Sequence, residues 1–553
     1  MEFIFRQFVR FSFFFGLILI LVFLPFSKAI LSIGQLIMTG AWIMERLNLE
    51  KLTSFYFRHS RFPGILFLLP YFFYLYFEGM FRGLREFSKN KPALIFASIF
   101  LLHILGLFFT IDFDYAIKDL RTKLPLLALP IFLSTSEKIG SKTFLGLMLM
   151  FMLSLVVASL INTWKVVFHE YVDIRDVSRH VSHIIFSLLI SLSLFSLAYF
   201  MIRKNRIRPG WKILFFMTII WLMGYLVLTK SMTGFVISIL TLLILILILV
   251  FRQKKTWKKI LSLLFIVLIG GGIWFYIQTV IRDYYAVKKM DFKSLATVTS
   301  HGNPYIHNPA NLQTENGNYL WLYVQWDELR EAWNSRSHIP FDSLDLKNQP
   351  IKFTLIRFLT SKGERKDGDA VESLSEKEVQ AIEKGTANYI FMENFTIRGR
   401  IYEFLAGYDR YRSTGNPTGS TEMQRLEFWK ASMELIKANW LWGVGTGDMN
   451  IVFDQQYVKM HSKLAPDQRW RSHNQYMSIF IAFGIFGFIW FLFAIFYPPL
   501  MLKRYDDFFF LVFFIIALLS MLAEDTIESQ AGVTFFAFFY TFFLFARKEK
   551  CPV

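Results

Sequence analysis

Long apolar runs separated by short charged segments set the pattern of this chain. Thirteen runs lie near 11–27, 29–44, 64–79, 93–111, 124–136, 143–161, 182–202, 213–229, 233–250, 260–281, 475–497, 507–523 and 531–546. Many reach the length an α-helix needs to cross a hydrocarbon core of ~30 Å. The run from Met232 through LILILILV (Leu243 to Val250) contains no charge at all. The pattern predicts an all-α polytopic membrane protein. The first run, from Phe11, has no small-residue cleavage site, which predicts a retained membrane segment.

One long segment breaks the pattern. Residues 282–424 are polar and carry turn dipeptides such as Asn303-Pro304, Asn308-Pro309 and Asn416-Pro417. They also hold enough Trp, Tyr, Phe, Leu and Ile for a modest core. YLWLYVQW (Tyr319 to Trp326) and IKFTLIRFL (Ile351 to Leu359) read as strands. SLSEKEVQAIEKG (Ser373 to Gly385) reads as a capped helix ending at Gly. The expectation is a small α+β insertion domain. Four parts follow: a helix bundle over 1–281, the insertion over 282–424, a surface helix with a Gly-rich turn over 425–474, and C-terminal membrane helices over 475–553.

Composition agrees with the pattern: 54% of the 553 residues are hydrophobic and 64 are Phe. The formal charge of +18 does not point to nucleic acid, because much of it sits in short loops, as the positive-inside bias requires. RKNRIRPGWK (Arg203 to Lys212) and RQKKTWKK (Arg252 to Lys259) carry five cations each and no acid. Both are expected in the cytoplasm. The turn TKSMTG (Thr229 to Gly234) and everything from about Arg282 to Gln475 are then outside. A cytoplasmic N-terminus requires one of the first four runs not to cross. The short 64–79 run, with Pro70 in its middle, is the weakest, and twelve crossings remain; the alternative is that 11–44 is one broken unit around Pro25. The single cysteine, Cys551, excludes internal disulfides and argues against a Cys-based metal site.

Transporters place ionisable residues inside their membrane segments, and this chain places few there, chiefly His103 and His183. Each reads first as a packed histidine. Charge collects instead at the outer ends of the runs, in four clusters. DLRTKLPLLALP (Asp119 to Pro130) carries Arg121 and Lys123, which read as snorkelling cations. TKSMTGF (Thr229 to Phe235) carries Lys230, a cation on the side where the bias disfavours it, with an anionic headgroup and snorkelling as equal explanations. In STEMQRLEFWKASMELIKANWLWGVGTGD (Ser420 to Asp448), Thr421 and Gln424 suggest a capping box. Leu426, Trp429, Met433 and Ile436 share one face of a helix expected along the membrane surface. Arg425 sits in its first turn, where a cation opposes the helix dipole, so a bound anion would account for it. GVGTGD lacks the Gly-Lys-Ser/Thr end of a phosphate loop and reads as a flexible turn.

The fourth cluster is RWRSHNQYMSIF (Arg469 to Phe480). His473 stands between Arg471 and a membrane run, with Trp470 and Tyr476 at headgroup level. Its plain reading is an interfacial histidine at a helix start. A histidine kept neutral by neighbouring cations can also accept a proton, and those cations can hold a diphosphate. Together these suit a hydroxyl attacking a carbon whose leaving group is a lipid-linked diphosphate. No clustered carboxylates or Asp-x-Asp pair asks for a metal.

At these residues the chain resembles the bacterial O-antigen ligase and O-antigen polymerase family. The resemblance rests on Arg425 opening a surface helix, the turn Gly443 to Gly447, and His473, Asn474 and Tyr476 leading into a membrane helix. EDTIESQAGVTFFAFFYTFF (Glu524 to Phe543) and KLPLLALPIF (Lys123 to Phe132) look like segments of Bacteroidetes-type members with a large periplasmic insertion. The resemblance implies a GT-C-like glycosyltransferase of about twelve transmembrane helices in the bacterial inner membrane, its site facing the periplasm. It implies no metal and no cofactor. The implied donor is a glycan on undecaprenyl diphosphate, and the acceptor is lipid A-core for a ligase or another lipid-linked glycan for a polymerase. His473 matches the general base and Arg425 the essential diphosphate-binding Arg. Family members often have Ser-Arg in the outer turn where this chain has Lys230-Ser231-Met232; Lys230, Arg121 and Arg471 are candidates for the second diphosphate contact. Two other classes remain open: a lipid-linked oligosaccharide transporter, and a sensor or structural membrane protein that binds glycan without chemistry.

Overall fold

In a bilayer a single segment can satisfy its own backbone groups only as a helix, and the apolar runs fold accordingly. The structure is a computed structural model that describes residues 2–58, 67–168, 177–178, 181–203, 209–392 and 396–551. The basic loop expected around 204–208 and the start of the 64–79 run lie outside the described residues. The chain divides into two compact units, Met1–Leu249 with Arg425–Val553, and Val250–Gln424.

The first unit opens with α1 (Glu2–Phe23), α2 (Lys28–Glu45), α3 (Leu49–Arg58), α4 (Leu68–Lys89) and α5 (Lys91–Leu105). It continues with α6 (Phe113–Lys123), α7 (Pro125–Thr135), α8 (Ser141–Phe168), α9 (His183–Arg203), α10 (Pro209–Leu228) and α11 (Met232–Phe251). The second unit holds α12 (Thr256–Tyr285), α13 (Trp326–Arg336), α14 (Ile351–Lys362), α15 (Gly368–Glu372), α16 (Glu376–Glu383) and α17 (Ile397–Thr414). The chain then returns to the first unit through α18 (Thr421–Ala438), α19 (Met449–Lys459), α20 (Gln475–Met501), α21 (Phe508–Ala523) and α22 (Gln530–Thr541).

Eight described helices are long and apolar enough to cross a membrane: α1, α5 with its extension to Phe109, α8, α9, α10, α11, α12 and α20. α21 and the stretch Gln530–Ala546 are shorter and apolar. The chain is thus an all-α, multi-pass membrane protein. The 124–136 run does not form a full-length crossing. It is α7, eleven residues with Pro125 at its start and Pro130 inside, about 16 Å long, roughly half of what a bilayer needs. Its apolar residues are explained by burial in protein: Leu126, Leu129 and Leu133 are fully enclosed. α21 and α22 form an aromatic centre, in which Tyr540 stacks on Phe96 at 4.0 Å and donates its hydroxyl hydrogen to the Ile495 carbonyl at 2.9 Å.

The second unit is helical where strands were expected. Its sheet among the described residues is one antiparallel pair, β1 (Thr314–Glu315) with β2 (Asn318–Tyr319). IKFTLIRFL forms α14 because its flanks decide for a helix. Pro350 caps its start, and Gly363, at φ +83°, ends it in the left-handed conformation. Ile351, Leu355, Phe358 and Leu359 then bury one side at helical spacing. YLWLYVQW supplies only the end of β2 before an irregular stretch leads to α13. The expected capped helix is α16, with a capping box between Ser375 and Glu378.

α20 is broken inside the membrane run. Gly484 has φ +62° and ψ −166°, which an L side chain resists. The break frees backbone groups, and the turn after α18 takes them up. The Val444 and Gly445 N–H groups donate to the Ile481 and Ala482 carbonyls, each at 2.9 Å, and the Ile485 N–H donates to the Trp440 carbonyl at 2.8 Å. GVGTGD is therefore a packed seam and not a flexible turn. A Cβ on Gly445, itself at φ +91°, would stand 2.8 Å from the Gly106 carbonyl oxygen, and one on Gly484 would stand 2.2 Å from the Leu441 carbonyl oxygen. Asp448 closes the seam by accepting the Ile111 and Asp112 N–H groups at 2.9 and 2.8 Å.

Gly484→Ala and Gly445→Ala are each expected to lower the thermal midpoint of the purified protein, since left-handed strain alone costs ~1–3 kcal/mol before any clash. Gly146→Ala, in α8 where nothing lies within 4 Å of an added Cβ, should leave it unchanged or raise it. Melting curves in one detergent compare the three.

Candidate functional site

The seam fixes the first half of α20, and α20 begins at the histidine cluster. Asn474 is the N-cap; its Oδ1 accepts the Tyr476 and Met477 N–H groups at 3.1 and 3.2 Å, and its Nδ2 donates to the Leu522 carbonyl at 3.1 Å. His473 precedes the cap at φ +46°, a conformation that costs a non-Gly residue ~1–2 kcal/mol. The segment after α21 holds it there. The His473 N–H donates to Asp525 at 3.1 Å, and Asp525 also accepts the Ser478 hydroxyl at 2.7 Å.

The His473 ring is paired with a carboxylate. Nδ1 lies 3.3 Å from Glu524 Oε2, and the ring packs beside Phe428 with centroids 5.6 Å apart. Burial alone would lower its pKa, but the Glu524 contact and the Asp525 charge outweigh burial and raise it above 6.5, with Arg425 opposing them. The expectation of a histidine kept neutral by cations is therefore corrected: its nearest charged partners are acids. A proton on Nδ1 directed at Glu524 leaves the Nε2 lone pair as the acceptor.

Arg425 is near enough to oppose protonation of His473. It is half-buried in the first turn of α18, and no carboxylate among the described residues pairs with it. The cap of α18 is not the expected Thr421 box; the Ser420 Oγ accepts the Met423 N–H at 3.4 Å. The expected apolar face is also displaced. Met423, Phe428, Ala431 and Leu435 are buried, whereas Leu426 and Met433 are exposed. Trp429 ties the helix to the histidine segment by donating Nε1–H to the Ser472 carbonyl at 3.1 Å.

Arg471 uses each of its three nitrogens in a contact with the protein. Its Nε donates to Asn450 at 2.9 Å, one Nη to Glu528 at 3.0 Å and the other to the Tyr115 hydroxyl. Lys123, expected to snorkel, is 2% exposed. Its Nζ lies 2.6 Å from both Asp119 oxygens and 3.1 Å from Glu528. Burial pushes up the pKa of Asp119. Glu528 is buried too, yet Lys123 and Arg471 hold its pKa down. Arg121, two positions from Lys123 on the same helix, is exposed. Lys230 is exposed in the turn after α10, at φ +51°. His103 is packed, with Nδ1 2.8 Å from the Ile99 carbonyl and Phe483 edge-on at 4.8 Å. The structure thus brings together His473, Arg425 and Arg471, with Arg121 on the adjoining α6.

Sequence reasoning missed Glu524, Asp525, Glu528, Asp119 and Tyr115. A signal was present: EDTIES sets three carboxylates in five positions (Glu524, Asp525, Glu528) directly after an apolar run, a costly placement unless partners await.

Residues 385–492 match the family model described as O-antigen ligase. Over that segment, about a fifth of its length, the chain is similar to the O-antigen ligase family. The match covers Arg425, the glycine seam, Arg471 and His473. No curated protein matches the chain.

Replacing Lys123 with Met would leave Asp119 and one side of Glu528 buried without their cation. The expected loss is ~3–5 kcal/mol, read as a lower midpoint in denaturant or heat. Replacing exposed Arg121 with Met should change the midpoint by less than about 0.5 kcal/mol.

Proposed function

We propose that the chain is a metal-independent, inverting glycosyltransferase of the O-antigen ligase type. It moves a glycan from undecaprenyl diphosphate to lipid A-core at the periplasmic face of the bacterial inner membrane. One observation supports this most: His473, oriented through Nδ1 by Glu524 and leaving Nε2 free, stands close to Arg425, a half-buried cation with no carboxylate partner. A base and an uncommitted cation are the two groups that this displacement needs.

The acceptor hydroxyl gives its proton to His473 Nε2 as its oxygen bonds to the anomeric carbon. The bond from that carbon to the diphosphate breaks, and undecaprenyl diphosphate leaves with the electron pair. Arg425 stabilises the charge that develops on it. A single displacement inverts the configuration. Lys230 and Arg121, both exposed, are the further diphosphate ligands. Arg471 positions the site through Glu528 and Tyr115. In this reading the membrane helices take a GT-C-like arrangement, and residues 282–424 form a periplasmic insertion.

His473→Ala and Arg425→Ala should each abolish transfer without loss of inserted protein. Arg425→Lys should also be poor, because Lys cannot offer the paired guanidinium donors. In a deletion strain, glycan that stays unattached to lipid A-core, unrescued by His473→Ala, identifies a ligase. Core bearing one repeat identifies a polymerase, and normal glycan with both alanine variants defeats the mechanism.

The pH dependence has a definite sign. The raised His473 pKa favours the folded state below its unfolded value, and this stabilisation fades as pH rises through the folded value. Activity runs the other way, since the base must be neutral. The acid limb of the rate profile should therefore have its midpoint above 6.5. Glu524→Gln, which removes the charge but keeps an acceptor for Nδ1–H, should move that midpoint down and lower the maximal rate.

A further inference from the structure

A second cavity shares no lining residue with the histidine site. It encloses about 220 Å³ at the open end of the α1–α2 hairpin. The two helices cross with their backbones in contact: a Cβ on Gly16 would lie 2.8 Å from the Gly34 carbonyl oxygen. The gap lies between Phe5, Val9 and Phe13 of α1 and Ala41, Met44 and Glu45 of α2. The end of α7 bounds the gap and is pinned in place. Thr135 accepts Trp42 Nε1–H on its hydroxyl at 2.7 Å and an Arg46 Nη–H on its carbonyl at 2.8 Å. Arg10 reaches across to Glu137 at 3.2 Å. The α7 wall cannot move inward without breaking the two Thr135 contacts.

The lining has two parts. Val9 and Phe13 of α1 and Ala41 of α2, all buried, supply an apolar floor. The rim carries both signs of charge: Arg6 and Arg10 on α1, and Glu45 and Glu137 facing them. Between floor and rim, the Ser136 Oγ is buried with no hydrogen-bond partner. A cavity of 150 Å³ with an apolar lining already takes up a small apolar molecule. A bilayer surrounds the hairpin with amphiphiles.

We propose that this cavity is a binding site for a zwitterionic phospholipid with a primary ammonium headgroup, of the phosphatidylethanolamine type. The glycerol end and first chain carbons lie on the Val9–Phe13 floor. The phosphate meets Arg6 and Arg10, the ammonium donates to Glu45 and Glu137, and the Ser136 hydroxyl gains a partner. The choice of headgroup follows from the mixed rim. An anionic headgroup with no ammonium would set its phosphate against two carboxylates. A choline headgroup has no N–H to donate to them.

The test uses the full chain, purified in mild detergent and examined by native mass spectrometry with phosphatidylethanolamine, phosphatidylcholine and phosphatidylglycerol of identical acyl chains. The ethanolamine lipid should be retained at least tenfold more than either other lipid. Val9→Trp, which fills the floor, should remove that retention. Glu45→Gln with Glu137→Gln, both at exposed positions, should bring it down to the choline level. Equal retention of the three lipids, preference for phosphatidylglycerol, or undiminished retention in the double Gln variant overturns the proposal. The double variant decides the matter if Val9→Trp does not fold.

Discussion

The exchange of backbone hydrogen bonds between the broken α20 and the glycine turn is the contact on which the rest of the first unit depends. Inside a membrane an unpaired carbonyl has no water to turn to. A helix can be interrupted there only if another segment brings donors to the break, and Val444 and Gly445 do so. The match must be close, which is why both sides are glycine-rich. What the break provides is a change of direction. The short first half of α20 can present His473 to Glu524, while the second half continues as a crossing.

Around that frame the site is built from opposite charges in a dry setting. Lys123, Arg471, Asp119 and Glu528 form one neutral group, and His473, Glu524 and Asp525 form a second, with an excess of acid. Such groups are strong only when complete, because the desolvation cost of each member is met by the others. Arg425 stands apart from both. No carboxylate among the described residues forms an ion pair with it, although it is near enough to His473 to oppose its protonation.

The sequence made the helices legible because bilayer length and apolar composition are local properties. It made His473 and Arg425 legible because a histidine or arginine at the mouth of an apolar run is rare enough to need an explanation. What it hid were pairings over long separations. Lys123 looked like a surface cation, since its partner Glu528 lies 405 positions away. Glu524 looked like part of a loop, since nothing local aims it at His473. α14 was misread for a smaller reason: its β-branched and aromatic residues suggested a strand, and the Pro350 and Gly363 flanks, which decide the matter, received too little weight.

The same long separations govern when the site comes into existence. Asp448 binds backbone groups of Ile111 and Asp112, more than 330 positions earlier, and His473 waits for Glu524 and Asp525, made some fifty positions later. During synthesis the early helices enter the membrane without the segments that complete them. The histidine follows these helices, and its acidic partners come some fifty positions later still. A nascent or truncated chain thus holds the cations without the base, or the base without its carboxylate. The ion pair that orients the His473 ring can thus form only after synthesis has passed Glu524.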